Sequence, residues 1–197
     1  MSAPKIAILF YSTYGTNYAV AQHAKAEAEA AGAEVRLLRI PETAPESAVQ
    51  SQDAWAEQVR RVSYLPAVGH DDLEWADGIW LSAPTRFGGQ TSQVRAWIDT
   101  LGPLWSKGAL VNKTVTATTS AQNPNGGVEQ TLFNFYAATF HWGAIPVTPG
   151  YADEVKFKDN GNPYGFSKVA GELTETDKAS IAFQARRFVE ITGRIAS

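Results

Sequence analysis

The stretch Lys5-Ile6-Ala7-Ile8-Leu9-Phe10-Tyr11 is apolar from Ile6 onward and stops at a polar loop, Ser12-Thr13-Tyr14-Gly15-Thr16-Asn17. A short continuous apolar run of this kind reads as a strand covered on both faces. Behind the loop, Ala21, Ala24, Ala28 and Ala31 recur at helical spacing and Gly32 supplies a C-cap. Small alanine side chains let such a helix lie close on a sheet. Glu34 to Ile40 then alternates as an edge-type strand until Pro41 stops it. Strand, helix and strand at this spacing form a βαβ unit, which requires a parallel sheet.

The rhythm continues downstream. Gly78-Ile79-Trp80-Leu81-Ser82 reads as a buried strand, and Val94, Trp97, Ile98 and Leu101 as a helical stripe closed by Gly102-Pro103. Thr114 to Thr119 is a β-branched strand, followed by a helix bearing Val128, Leu132, Phe135 and Thr139 on one face. Ala144 to Val147 is the last strand, with Pro146 marking an edge or strand end. The final helix opens on Thr174-Glu175-Thr176-Asp177, a capping-box spacing, and carries the stripe Ile181, Ala185, Phe188, Ile191 and Ile195. Five strands alternating with four main helices predict an α/β doubly wound sheet with helices on both faces, in one domain spanning residues 1–197. Two stretches break the alternation and read as insertions: 41–70, with a short helix over about 53–62, and 150–173.

Composition narrows the function. The 197 residues carry a formal charge of -3, and the basic residues are scattered, so no nucleic-acid footprint is expected. No apolar run approaches the roughly 18 residues of a membrane span. The absence of cysteine excludes disulfides, thiolate metal sites and cysteine nucleophiles. His23, His70 and His141 lack metal-ligand spacing, so no metal is expected. With no secretory signal legible at the start, the cytoplasm is the expected compartment.

Right-handed crossovers bring the loops after the strands to one edge of such a sheet, where ligands bind. Three loops there are chemically unusual. Ser12 to Asn17 offers hydroxyls, an amide and a flexible Gly15 at a helix N-terminus, which suits a phosphate cradle or an ordinary Ser/Thr/Asn cap equally. Its spacing matches neither a P-loop nor a dinucleotide fingerprint. Ala83-Pro84-Thr85-Arg86-Phe87-Gly88-Gly89-Gln90 can bring a cation and a ring to a ligand, or simply turn the chain. Ser120-Ala121-Gln122-Asn123-Pro124-Asn125-Gly126-Gly127 is polar enough to bond the edge of a heterocycle, or is a connector.

Together the loops resemble the WrbA family, flavodoxin-like NAD(P)H:quinone oxidoreductases. The resemblance runs nearly end to end and rests on Tyr11-Ser12-Thr13-Tyr14-Gly15, Pro84-Thr85-Arg86-Phe87-Gly88, Gly102-Pro103-Leu104-Trp105-Ser106-Lys107-Gly108-Ala109-Leu110 and Pro163-Tyr164-Gly165. It implies a flavodoxin-like five-stranded sheet of order 2-1-3-4-5. It implies bound FMN, a hydride taken from NADH or NADPH, and two-electron reduction of a quinone. The other reading is a flavodoxin-type one-electron carrier that docks on redox partner proteins.

By the same resemblance Ser12, Thr13, Tyr14, Gly15, Thr16 and Asn17 hold the phosphate, with Tyr14 also near the nicotinamide nucleotide. Pro84, Thr85, Arg86, Phe87 and Gly88 line the ring and its pyrimidine edge. Ser120, Ala121, Gln122, Asn123, Asn125 and Gly126 contact the ribityl chain and ring, and Trp105 walls the substrate pocket. Arg86 is the one catalytic candidate, as an electrostatic stabiliser of the reduced, anionic flavin. The family's histidine before the glycine that closes the fourth helix is Trp142 here, with His141 one step earlier. Either His141 reaches the site with shifted register or Trp142 substitutes by packing. The family's tetramers imply a homotetramer or dimer of dimers whose neighbouring subunit completes the pocket.

Overall fold

A computed structural model describes residues 2–196. In chain order the elements are β1 (Lys5–Phe10), α1 (Thr16–Ala30), β2 (Glu34–Arg39), α2 (Glu46–Gln50), α3 (Asp53–Arg61), α4 (His70–Trp75), β3 (Gly78–Ser82), α5 (Ser92–Asp99), α6 (Gly102–Ser106), β4 (Thr114–Ala121), α7 (Val128–His141), β5 (Ile145–Pro146), β6 (Ser167–Val169) and α8 (Glu175–Ile195), with a 3-10 turn at Glu154–Phe157 before β6. The strands lie side by side in the order β2-β1-β3-β4-β5, all parallel, as the flavodoxin-like reading expects.

The pleat of β1 divides the core in two. Ile6, Ile8 and Phe10 face the helices α1 and α8, where Ala21, Ala24, Ala28, Ile181, Ala185 and Phe188 are buried. Ala7, Leu9 and Tyr11 face α5 and α7, among Val94, Trp97, Leu132 and Phe135. A strand covered on both faces has no polar side to spare, which is why its sequence runs apolar instead of alternating. Edge strand β2 does alternate between exposed and covered residues. At the end of α1 the N–H of Gly32 bonds the Glu29 carbonyl and that of Ala33 the Ala28 carbonyl, a Schellman closure around Gly32. Thr174 and Asp177 form the expected capping box on α8.

Three readings need correction. The described residues hold six strands, because the 150–173 stretch contributes β6, which pairs with β4 through Thr119, Ser120 and Ala121. The edge beside β4 is thus shared: β5 takes its first residues and β6 its last. Consequently β4 runs to Ala121, and Ser120 and Ala121 are strand residues, not loop residues. A three-residue strand gives no periodicity to detect. Gly102-Pro103, read as a helix stop, instead opens α6, with proline in the first turn where its missing N–H costs nothing.

Candidate functional site

Three chain segments converge at the C-terminal edge of β1, β3 and β4. The loop 12–17 leads into α1, whose N-cap is Gly15 at φ 100, a conformation that favours glycine. No side chain caps this helix and no acidic residue stands in its first turn. The N–H groups of Thr16, Asn17 and Tyr18 precede the first helical bond, from Ala19 N–H to the Gly15 carbonyl. The positive end of the dipole is therefore left for an exogenous anion. Ser12 Oγ accepts the Gly15 N–H at 3.0 Å, which shapes the loop.

Asn17 also ties the loop to the sheet. It is 1% exposed, and its amide donates to Ser82 Oγ at 3.3 Å while its carbonyl oxygen accepts from Ser120 Oγ at 2.6 Å. One side chain thus ties the ends of β3 and β4 to the phosphate loop.

The loop 83–90 is a tight reversal. Arg86 and Gly89 exchange backbone hydrogen bonds at 2.8 and 2.9 Å, with Phe87 at φ 50 and Gly88 at φ 77 between them. A positive φ at a phenylalanine is a strained conformation, and Phe87 projects fully exposed from the turn. Thr85 N–H bonds the Ser120 carbonyl at 2.8 Å, and Thr131 Oγ1 of α7 donates to Thr85 Oγ1 at 2.7 Å. Arg86 reaches across to the first loop, donating to Thr13 Oγ1 at 2.7 Å and to the Thr85 carbonyl at 3.0 Å. No carboxylate among the described residues pairs with it. Its charge is available to a ligand.

Two adjoining cavities result. A small crevice of about 40 Å³ is lined by Ser12, Thr13, Thr16, Asn17, Arg86 and Ser120 among others. It opens beside a trough of about 640 Å³ between Tyr14, Thr85, Phe87 and Gly88 on one side and Gln122, Asn123, Asn125 and Gly126 on the other. Pro84 and Ala121 line the crevice as well.

Sequence reasoning missed four contributors. Ala170 lines the crevice, and Gly171 N–H donates to Thr16 Oγ1 at 3.2 Å, so the turn after β6 closes the phosphate loop from the far side. From the 41–70 segment, Gln52 Oε1 accepts the Tyr14 hydroxyl at 2.5 Å. Gln58 packs against Gly15, where an added Cβ would stand 3.4 Å from its Oε1. None of these four residues belongs to a motif, so only contact reveals them.

Three residues expected in the site are elsewhere in this chain. Trp105, Trp142 and His141 lie at the opposite edge of the sheet, past the far end of α7. Trp142 is 6% exposed and meets Trp97 edge to face at 6.4 Å, so it is a core residue. Trp105 is 59% exposed, and its Nε1 donates to the His141 backbone carbonyl at 2.9 Å.

The donor set fits a flavin mononucleotide. Hydroxyls, first-turn N–H groups and one unpaired guanidinium surround a crevice the size of a phosphate, next to a trough wide enough for a ring system. Two buried side-chain nitrogens, Gln58 Nε2 of α3 and Gln90 Nε2 in the second loop, have no partner among the described residues.

A doubly wound sheet with its cleft at the strand-order switch beside β1 and β3 defines a flavodoxin-like α/β protein. The chain belongs to the NADPH-dependent FMN reductase family, whose profile matches residues 4–154. It is 55% identical to an NAD(P)H dehydrogenase (quinone) of Deinococcus radiodurans, with 99% of each chain covered. It is 34% identical to one of Methanosarcina acetivorans, with 98% of each chain covered. Among solved structures it resembles a WrbA-like flavodoxin from Agrobacterium tumefaciens, with TM-score 0.68, 19% identity and coverage of 98% and 99%. No helix among the described residues is long and apolar enough to cross a membrane.

Proposed function

We propose that this protein is an FMN-dependent oxidoreductase that takes a hydride from NADH or NADPH and passes two electrons to a quinone. The observation that carries the reading is the juxtaposition of the uncapped, acid-free N-terminus of α1 with the unpaired Arg86 at one end of an open aromatic trough. When bound, FMN supplies the hydride-accepting ring.

The chain's own residues bind and orient. Ser12 and Thr16 offer hydroxyls and α1 offers N–H groups to the phosphate, without a lysine, while Thr13 anchors Arg86 beside them. Arg86 places a cation where the phosphate loop meets the trough and favours negative charge in either place. Tyr14 and Phe87 present ring faces at the rim, against which a flat substrate or nicotinamide can stack. Gln122, Asn123, Asn125 and Gly126 border the opposite side with amide and backbone groups. The trough is open on one face, so donor and acceptor use it in turn, which gives ping-pong kinetics.

In this reading the segments 41–70 and 150–173 are insertions within one domain spanning 1–197, each closing part of the site. Trp105 and His141 reach a pocket only from a neighbouring subunit, which supports a homotetramer or dimer of dimers in the cytoplasm. A monomer in sedimentation that retains full activity would refute that part. Stopped-flow mixing of the FMN-loaded protein with NADPH tests the function itself. Rapid bleaching of the bound flavin, followed by recolouring on quinone addition, is expected. A flavin left oxidised would overturn the enzyme reading in favour of an electron carrier.

A further inference from the structure

We propose that Glu42 is a positioning residue of the flavin site, acting through Tyr11 and Thr13 on Arg86; the proposal rests on the FMN reading above. Glu42 stands just beyond β2, in the Pro41–Pro45 stretch, and sequence inspection gives it no role. Its carboxylate is saturated. Oε1 accepts the N–H groups of Thr43 and Ala44, each at 2.9 Å, and Gln93 Nε2 at 2.5 Å. Oε2 accepts the Tyr11 hydroxyl at 2.8 Å and Trp55 Nε1 at 2.9 Å. Five donors meet an acceptor with roughly four lone-pair sites. No capacity remains for a ligand, so the group fixes its neighbours.

Three of those neighbours come from separate segments beside the site. Tyr11 immediately precedes the phosphate loop, Gln93 lies in α5 just after the Arg86 turn, and Trp55 belongs to α3, the helix that also carries Gln58. The direction of the hydrogen bonds then matters. Tyr11 spends its hydrogen on Glu42, so its oxygen can only accept, and it does so from Thr13 Oγ1 at 3.4 Å, the longest link. Thr13 in turn accepts from the Arg86 guanidinium at 2.7 Å. Every hydrogen in the row points toward Glu42, with a carboxylate at one end and a guanidinium at the other. Charges at the two ends polarise such a row in one sense and hold each rotor in place. Neutralising Glu42 or removing the Tyr11 hydroxyl frees Thr13 to turn, and Arg86 loses its fixed anchor on the phosphate loop.

A carboxylate that merely staples elements together would loosen the whole cleft when lost. A carboxylate that positions Thr13 and Arg86 affects the phosphate end selectively. The two are separated by titrating Glu42→Gln, Tyr11→Phe and the double variant with FMN and with riboflavin, following quenching of flavin fluorescence. Tyr11→Phe keeps the ring packing and the Glu42 charge and cuts only the row. Each single change is expected to lower the preference for FMN over riboflavin about tenfold. The double variant should be no worse than the poorer single, because both cut one row. Parent-like preference in Tyr11→Phe, or equal and additive weakening of both flavins, overturns the positioning role while leaving the FMN reading intact. A parent protein that leaves FMN unquenched overturns that reading and the proposal with it. Should Glu42→Gln fail to fold, Tyr11→Phe decides alone.

Discussion

A Cβ placed on Gly127 would stand 2.6 Å from the Cα of Gly88, so the loops after β3 and β4 touch backbone to backbone. Gly127 also caps α7 at φ 82, in the region that only glycine adopts without strain. Gly127→Ala therefore forces the two loops apart as well as straining the helix start. A loss of about 1–3 kcal/mol in urea unfolding is expected, together with weaker FMN binding. Gly88→Ala is the control. At φ 77 it is strained, but its Cβ meets nothing within 4 Å, so its loss should be the smaller.

Asn17→Ala tests whether the phosphate loop is held to the sheet by one amide. The change removes the 2.6 Å acceptor of the buried Ser120 hydroxyl and the donor to Ser82. Leaving a buried polar group unpaired costs about 1–3 kcal/mol, and chemical denaturation should show a loss of that size. A neutral result would mean that Asn17 is not the tie its bonds describe.

Lys156 and Asp159 form a wholly buried ion pair at 2.5 Å, and Ser180 of α8 donates to the same Asp159 oxygen. The pair fastens the segment carrying β6 to α8. Lys156→Met strands a buried carboxylate and should cost about 3–5 kcal/mol, whereas Lys156→Met with Asp159→Leu should recover most of it. Urea midpoints of the parent and both variants measure this. Because Ala170 and Gly171 border the phosphate loop, the single variant should also bind FMN less tightly.

Acid should erase the contribution of Glu42. Burial pushes its carboxyl up, but the Ala44 N–H and the side chains of Gln93, Tyr11 and Trp55 outweigh burial and hold it below the ordinary value of 4.5. A folded value below the unfolded one stabilises the protein above the unfolded value, and the stabilisation is lost as pH falls through the folded one. The difference in unfolding free energy between the parent and Glu42→Gln should be constant from about pH 6 to about pH 8. It should shrink below about pH 4, near the unfolded carboxyl value. A difference that grows on acidification would contradict the hydrogen-bonding pattern around Glu42.

Features written in adjacent residues were legible. The uninterrupted apolar run of β1, the alanine face of α1, its Gly32 closure and the Thr174–Asp177 capping box each depend on spacing within one segment. The convergence of the loops after β1, β3 and β4 also followed from the sequence, because a right-handed crossover leaves no other edge for them. Pro146 marked an edge strand correctly for the same local reason: it has no N–H to give to a further neighbour.

The residues that bind distant segments were not legible. Glu42 sits among prolines in an unpatterned stretch, and nothing near it in the chain hints at Tyr11 or Gln93. The strand β6 is three residues long and owes its place to the free edge that β5 leaves along β4. Trp105 and His141 belong to the resemblance, yet a single chain puts them at the far edge of the sheet.

The sequence alone therefore determined the doubly wound architecture and the edge at which the chemistry gathers, since hydrophobic period and chain chirality act locally and leave few topologies. Only the tertiary structure decided that Asn17 is a tie, that Arg86 rests on Thr13, and that residues from 41–70 and 150–173 border the site. Those outcomes depend on hydrogen bonds between residues many positions apart, such as Tyr11 to Glu42 and Gly171 to Thr16. Such bonds are satisfied by whichever partners packing brings near, and no spacing in the sequence encodes them.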